Sequence, residues 1–216
     1  MLETLGQAVS IDRISISDQA YTHIKKLILS GELKAGEKIP EKRVADLFKV
    51  SRTPIREAMR KLAEYGLIVI KPRSYAYVAT INTEEAKDIS WVRLYLEKLS
   101  VRLFAAAAND ASYARLYELA RNCREANDSG DYAAAYEYDS TLHREIARGT
   151  GNKELYAMLQ MLDAKLQLLR LKQHLPHNTL AEYFSQHEKL VRLLANKEFQ
   201  KIDELLEVHI MHDLSF

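Results

Sequence analysis

The stretch Lys49-Val50-Ser51-Arg52-Thr53-Pro54-Ile55-Arg56-Glu57-Ala58-Met59-Arg60-Lys61-Leu62 constrains this chain more than any other. It predicts a helix with Ser51 as N-cap and Pro54 in the first turn, where a missing N–H costs little. Ile55, Met59 and Leu62 recur at helical spacing and give one side to bury. Arg52, Thr53 and Arg56 gather at the amino-terminal end of the side left over. That is the disposition of a recognition helix, whose first residues meet base edges while the rest packs against its own domain. A guanidinium can pair bidentately with guanine O6 and N7, and Thr53 can reach a phosphate or a base. Taken alone, the same residues also describe a solvated basic surface helix, so the flanking sequence has to decide.

Upstream, a helix is expected from Asp18, with Ile24, Leu27 and Ile28 as its apolar stripe and Gly31 as a left-handed stop. Residues 35–40 read as a turn into a second helix, Glu41 to Phe48, with Val44, Leu47 and Phe48 facing inward. Two short helices joined by so brief a turn match the helix-turn-helix plan. Downstream, residues 65–70 and 75–79 are β-rich runs separated by Lys71-Pro72-Arg73-Ser74, a hairpin that forms the wing of a winged helix. Arg73 at its tip reaches a minor groove or phosphates, or serves only the hairpin.

Charge supports a nucleic-acid module. Residues 1–80 hold 14 Lys and Arg against 9 Asp and Glu, whereas the remainder holds 17 against 21, so a net +1 hides a basic part joined to an acidic one. No apolar run is long enough to span a bilayer, and the first residues lack a basic segment followed by an apolar core, so a cytoplasmic protein without membrane association is expected. The single Cys123 excludes an internal disulfide framework and a multi-cysteine zinc site.

The motifs 31–37 (GELKAGE), Glu41 with Val44-Ala45, 50–58 (VSRTPIREA) and 62–67 (LAEYGL) together resemble the GntR family of bacterial transcription regulators, over residues 18–80. The resemblance implies DNA contacts from Lys42, Ser51, Arg52, Thr53 and Arg56, with the wing tip near Arg73. Lys42 stands where the family often has Arg, which replaces a bidentate fork by a point charge. Ser74 stands where the wing usually has Gly.

From Ile81 the chain reads as helical throughout. Asn82 and Glu85 make a capping pair for a helix through Ala108, in which Val92, Leu96, Leu99 and Leu103 form a continuous seam. Further helices are expected at 110–128, 131–148, 152–175, 179–195 and 199–212. Asp139 and His143 lie one helical turn apart, so both leave the same face, which Tyr136 and Ile146 mark as the inner one. His187 shares a face with Leu180, Phe184, Val191 and Leu194, and His209 shares one with Ile202, Leu205 and Leu206. Any one of these histidines reads as a hydrogen-bonded core residue. A carboxylate and three imidazoles converging inside a bundle suit a divalent ion, Zn²⁺ first, then Ni²⁺ or Mn²⁺.

This half resembles the FCD effector domain of the FadR branch of the GntR family over about residues 83–212. The resemblance rests on Arg93-Leu94-Tyr95-Leu96-Glu97, on Asp139 to His143, on Gly151-Asn152, and on His187 and His209. It implies metal ligands at Asp139, His143, His187 and His209, and a small organic acid completing the coordination. Arg93 is the obvious cationic partner for that acid, or else an intrahelical partner of Glu97. Tyrosines of this half, Tyr95, Tyr132, Tyr136, Tyr138 and Tyr183, can supply hydroxyls or form core edges.

The reading is a mainly α protein: a winged helix-turn-helix in residues 1–80, followed by an all-α helical bundle that senses a ligand in residues 81–216. The function expected is a homodimeric regulator, a repressor, on a double-stranded operator with two half-sites, its binding modulated by a small carboxylate effector held at the metal. Three alternatives stay open: a metal-responsive regulator without an organic effector, a regulator whose metal is only a structural clamp, and a metal-dependent enzyme. Against the enzyme, no general base stands beside the ligands and no nucleophile motif is present.

Overall fold

The computed structural model describes residues 15–71, 75–170 and 177–211. Three helices and a small sheet come first: α1 (Ile16–Leu29), β1 (Lys38–Ile39), α2 (Glu41–Phe48), α3 (Arg52–Glu64), β2 (Ile68–Ile70) and β3 (Ala76–Val78). Six helices follow: α4 (Thr83–Ala107), α5 (Asp110–Asp128), α6 (Tyr132–Gly149), α7 (Lys153–Arg170), α8 (His177–Ala195) and α9 (Phe199–Met211).

α1 begins one turn-fraction earlier than the apolar stripe suggested, because Ser15 caps it by accepting the Asp18 N–H at 3.0 Å. Gly31, at φ 76°, ends it in the left-handed conformation that glycine adopts without penalty. Ala20, Ile24 and Ile28 of α1 pack with Ile55, Ala58, Met59 and Leu62 of α3 in one core. In α2 only Ala45 is fully buried; Leu47, expected inside, is 68% exposed. Eight residues make little more than two turns, and the chain reverses straight after them through Lys49 at φ 54°, so α2 offers α3 only a narrow face.

Ser51 stands at the N-cap of α3 with extended backbone, yet its side chain makes no capping hydrogen bond. The reason is Pro54: it occupies the third helical position, whose N–H a serine cap normally takes, and proline has none.

Residues 35–40 are more than a turn. Lys38 and Ile39 pair antiparallel with Tyr77 and Ala76 of β3, which also pairs with β2 in the register Ile68 to Val78, giving the sheet order β1-β3-β2. A two-residue strand is too short to show any periodicity. The wing tip, with Arg73, lies outside the described residues.

The bundle helices lie close to where periodicity put them. Asn82 caps α4 by accepting the Glu85 N–H at 2.8 Å, and Asn109 and Ser112 form a capping box at α5. The α4 seam is different from the expected one. Val92 and Leu99 are 54% and 44% exposed, and Leu96 and Leu103 are only partly covered, whereas Ile89, Ser90, Arg93, Leu94, Glu97, Ser100, Val101 and Phe104 face inward.

α7 is buried on nearly every side from Leu162 to Arg170, as expected of a helix between two layers. Leu162, Leu166, Leu168 and Leu169 join the same core as α1 and α3, together with Ile81, Ala86 and Ile89 of the α4 entrance. That core therefore runs across the boundary at residue 80. Gly66, at φ 71°, is part of this join: a Cβ there would come within 2.7 Å of Lys165 Cε.

Candidate functional site

α6, α8 and α9 bring four side chains to one point inside the bundle. Asp139 and His143 project together from α6, His187 from α8 and His209 from α9, and all four are buried. α9 is fastened to α4 by Arg102, whose two Nη groups donate to the Asp203 carboxylate at 2.9 and 2.6 Å. Asp139 Oδ1 lies 2.9 Å from His187 Nε2, 3.7 Å from His209 Nε2 and 3.8 Å from His143 Nε2. His143 Nε2 and His209 Nε2 are 3.1 Å apart.

Two of the rings turn their other nitrogen to an acceptor. His187 Nδ1 donates to the Phe184 carbonyl at 3.2 Å and His209 Nδ1 to Gln186 Oε1 at 2.9 Å. His143 Nδ1 lies 3.1 Å from Glu97 Oε1. With the protons of His187 and His209 held on Nδ1, their Nε2 atoms present lone pairs to the shared point, beside a carboxylate oxygen. Lone pairs crowded within 4.8 Å in a dry interior repel unless a cation sits among them. Three imidazoles and one carboxylate gathered in this way could hold a divalent metal ion.

Charge around this point is balanced by groups from α4 and α7. Arg170 Nη1 donates to Asp139 Oδ2 at 2.8 Å and its Nη2 to the Tyr183 hydroxyl at 2.7 Å, while that hydroxyl donates to Asp139 Oδ1 at 3.0 Å. Burial alone would raise the Asp139 pKa, but the Arg170 guanidinium holds it well below the usual carboxylate range. Burial likewise pushes Glu97 up, and His143 and Arg93 bring it below its ordinary value. Burial lowers His187, with Asp139 opposing, and burial with the neighbouring His187 and His143 lowers His209 strongly.

Arg93 pairs with Glu97 at 3.4 Å, one turn along α4, but inside the bundle: its side chain is 2% exposed. Interior placement and the Glu97 pair, alternatives in the sequence, occur together at Arg93. Glu97 itself was visible only as the last letter of a motif. Arg170 closes a leucine-rich run, Leu166-Gln167-Leu168-Leu169-Arg170, that gave no signal of a site. Among the tyrosines, Tyr183 reaches the site, whereas Tyr95 is 66% exposed.

On the winged helix, Lys42, Ser51, Arg52, Thr53 and Arg56 are all exposed, on the sides of α2 and α3 away from the core residues Ile55, Ala58, Met59 and Leu62. Arg56 is engaged by Glu41 of α2. No helix among the described residues is long and apolar enough to cross a membrane.

Comparison with known proteins agrees with both halves. Residues 16–78 match the model of bacterial regulatory proteins of the gntR family, and residues 88–212, more than half of the chain, match the FCD domain. The chain is 23% identical over 195 residues to the HTH-type transcriptional repressor RspR of Escherichia coli K12, covering 90% of this chain and 86% of that one. It is 24% identical over 196 residues to the uncharacterized HTH-type transcriptional regulator YdhC of Bacillus subtilis 168, covering 90% and 88%. In fold it is similar to E. coli McbR/YncC, with a TM-score of 0.82 at 20% identity over 94% of this chain and 97% of that one. These relatives are regulators of transcription, and the metal-dependent enzyme is set aside.

Proposed function

Because the chain belongs to the gntR family of bacterial regulatory proteins, in the branch that carries an FCD domain, we propose that it is a cytoplasmic transcriptional repressor whose operator binding is modulated by a small organic acid held at a divalent-metal site. Residues 1–80 bind DNA and residues 81–216 bind the effector. Lys42, Ser51, Arg52, Thr53, Arg56 and Arg73 contact the operator, and Asp139, His143, His187 and His209 hold the ion, zinc in the first instance.

The observation that carries the reading is the convergence of three Nε2 atoms and Asp139 Oδ1, with Nδ1 of His187 and His209 turned to acceptors and Nδ1 of His143 3.1 Å from Glu97 Oε1. Asp139, His143, His187 and His209 would hold a divalent ion, which would supply Lewis acidity toward a carboxylate or hydroxyl bound as a ligand beyond these four. The chain's own residues do the rest. Glu97, Phe184 and Gln186 orient the rings, Arg170 and Tyr183 orient Asp139, and Arg93 is the buried cation offered to the acid.

α7 links this site to the DNA-binding half. At its end Arg170 holds Asp139; one turn earlier Gln167 donates to Ser140 and Asp163, at 3.0 and 2.9 Å, and Asp163 accepts from Arg144 at 3.3 Å. Leu162, Leu166, Leu168 and Leu169 of the same helix pack in the core of α1 and α3. A change at Asp139 that shifts α7 therefore shifts the DNA-binding head, and a coupling of roughly 1–3 kcal/mol is enough for a switch.

The dimer rests on α4. Trp91, Val92, Tyr95 and Leu99 are 53%, 54%, 66% and 44% exposed, and Met158 of the adjoining α7 is 49% exposed. An apolar face of this kind on a regulator is covered by a second copy, which sets two recognition helices for two half-sites.

Metal analysis of the freshly purified protein beside the Asp139→Ala/His143→Ala double mutant, with a thermal-shift screen of small carboxylates on both, tests the proposal. About one divalent ion per chain in the wild type, with an acid that stabilises it and not the mutant, is the outcome expected. Metal-free wild type with no response to any acid would reduce the four residues to polar core.

A further inference from the structure

Glu41 is the first residue of α2, where the positive end of the helix favours a carboxylate. Its side chain crosses to α3 and meets Arg56, whose Nε lies 3.0 Å from Oε2 and 2.9 Å from Oε1. The Arg56 side chain is 58% exposed and that of Glu41 28%, with Glu41 Oε1 shielded from solvent. Arg56 has no other hydrogen-bond or ion-pair partner among the described residues.

The point of attachment matters. A guanidinium pairs with guanine O6 and N7 through a two-donor edge, and Nε is the one donor on the stem side of the group. With Nε engaged by the carboxylate, an edge of Nη donors stays available for a base. An exposed ion pair contributes little to fold stability. A long arginine side chain, however, has much rotamer freedom to lose on binding, and a tether that removes part of it beforehand sharpens recognition.

We infer that Glu41 is a positioning residue for base recognition: it holds the Arg56 guanidinium with its Nη donors directed away from the protein, and so sets the discrimination at the base pair that Arg56 reads. The inference rests on Arg56 being a base contact. A purely electrostatic Glu41 would behave differently. A carboxylate near the phosphates weakens binding to every DNA sequence alike, and removing it would tighten all binding without altering preference.

The test starts by selecting a preferred duplex from a random double-stranded pool with the full-length wild-type protein. Binding of that duplex and of its single-base-pair variants is then measured for wild type, Arg56→Ala, Glu41→Ala and Glu41→Gln. Arg56→Ala should lose preference at one base pair of each half-site. Glu41→Ala should lower preference at that same base pair by about tenfold, within the range of one bidentate contact, and leave the others within about twofold. Glu41→Gln, which keeps an oxygen to accept from Nε, should retain most of the preference.

Wild-type preference in Glu41→Ala at the position that Arg56→Ala abolishes would overturn the inference, while leaving Arg56 as a base contact. Uniformly tighter binding with unchanged preference would do so as well. If Arg56→Ala has no position-specific effect, the underlying reading of Arg56 fails and the role of Glu41 falls with it.

Discussion

Arg170→Met removes a guanidinium from the bundle interior while keeping most of the apolar stem. In the wild type Arg170 Nη1 is 2.8 Å from Asp139 Oδ2, and both side chains are almost wholly out of solvent, at 3% and 0% exposure. Without Arg170, Asp139 keeps its tyrosine hydroxyl and histidine neighbours but loses the strongest of the charges that hold it ionised. Breaking one partner out of a buried pair costs about 3–5 kcal/mol. For a chain of this size each kcal/mol lowers Tm by about 2–4 °C, so the metal-free variant should melt about 6–20 °C below wild type. A divalent cation at Asp139 and the three histidines replaces the missing positive charge, so zinc should raise the Tm of the variant more than that of wild type. Calorimetry in EDTA and in zinc, with metal content measured alongside, reads both effects. A variant melting within about 2 °C of wild type in EDTA would refute the claim that Arg170 neutralises the buried carboxylate. Equal zinc-induced rises would refute the claim that the ion and Arg170 share it.

Two further expectations concern pH and assembly. In the metal-free protein His187 and His209 are held below their ordinary value of 6.5, chiefly by burial, so the folded state refuses protons that the unfolded state accepts. Stability therefore rises with pH up to that value and is lost on acidification below it, by up to about 1.4 kcal/mol per pH unit for each histidine. Denaturant titrations in EDTA at about pH 7, 6 and 5 check this, and a flat profile would mean that the rings are not buried neutral. Tyr95→Glu/Leu99→Glu, on the exposed face of α4, should halve the mass measured by light scattering and weaken binding to a two-half-site operator by about a hundredfold or more. A variant that remains dimeric would place the interface elsewhere.

Most helix positions were legible in the sequence because they depend on local chemistry. The Asn82 cap, Gly31 at a left-handed stop, and apolar residues recurring every three or four positions all act within a turn or two of the chain. The Asp139 and His143 pair was legible for the same reason: a four-residue spacing puts both side chains on one face whatever surrounds the helix. What surrounds it was another matter. Periodicity finds the apolar stripe of α4, Val92, Leu96, Leu99 and Leu103, but does not say what covers it. In the fold that stripe turns largely outward, and the inward face carries Ser90, Arg93, Glu97 and Ser100, of which Glu97 meets the His143 imidazole of α6. Arg170 shows the same limit, since it and Asp139 are separated by about thirty residues and meet only because α7 packs on α6. So the sequence by itself determined which residues share a helix face. Only the tertiary structure decided which face is inside, which nitrogen of each histidine is engaged, and which distant charges balance the site, because these depend on contacts between segments that no spacing along the chain encodes.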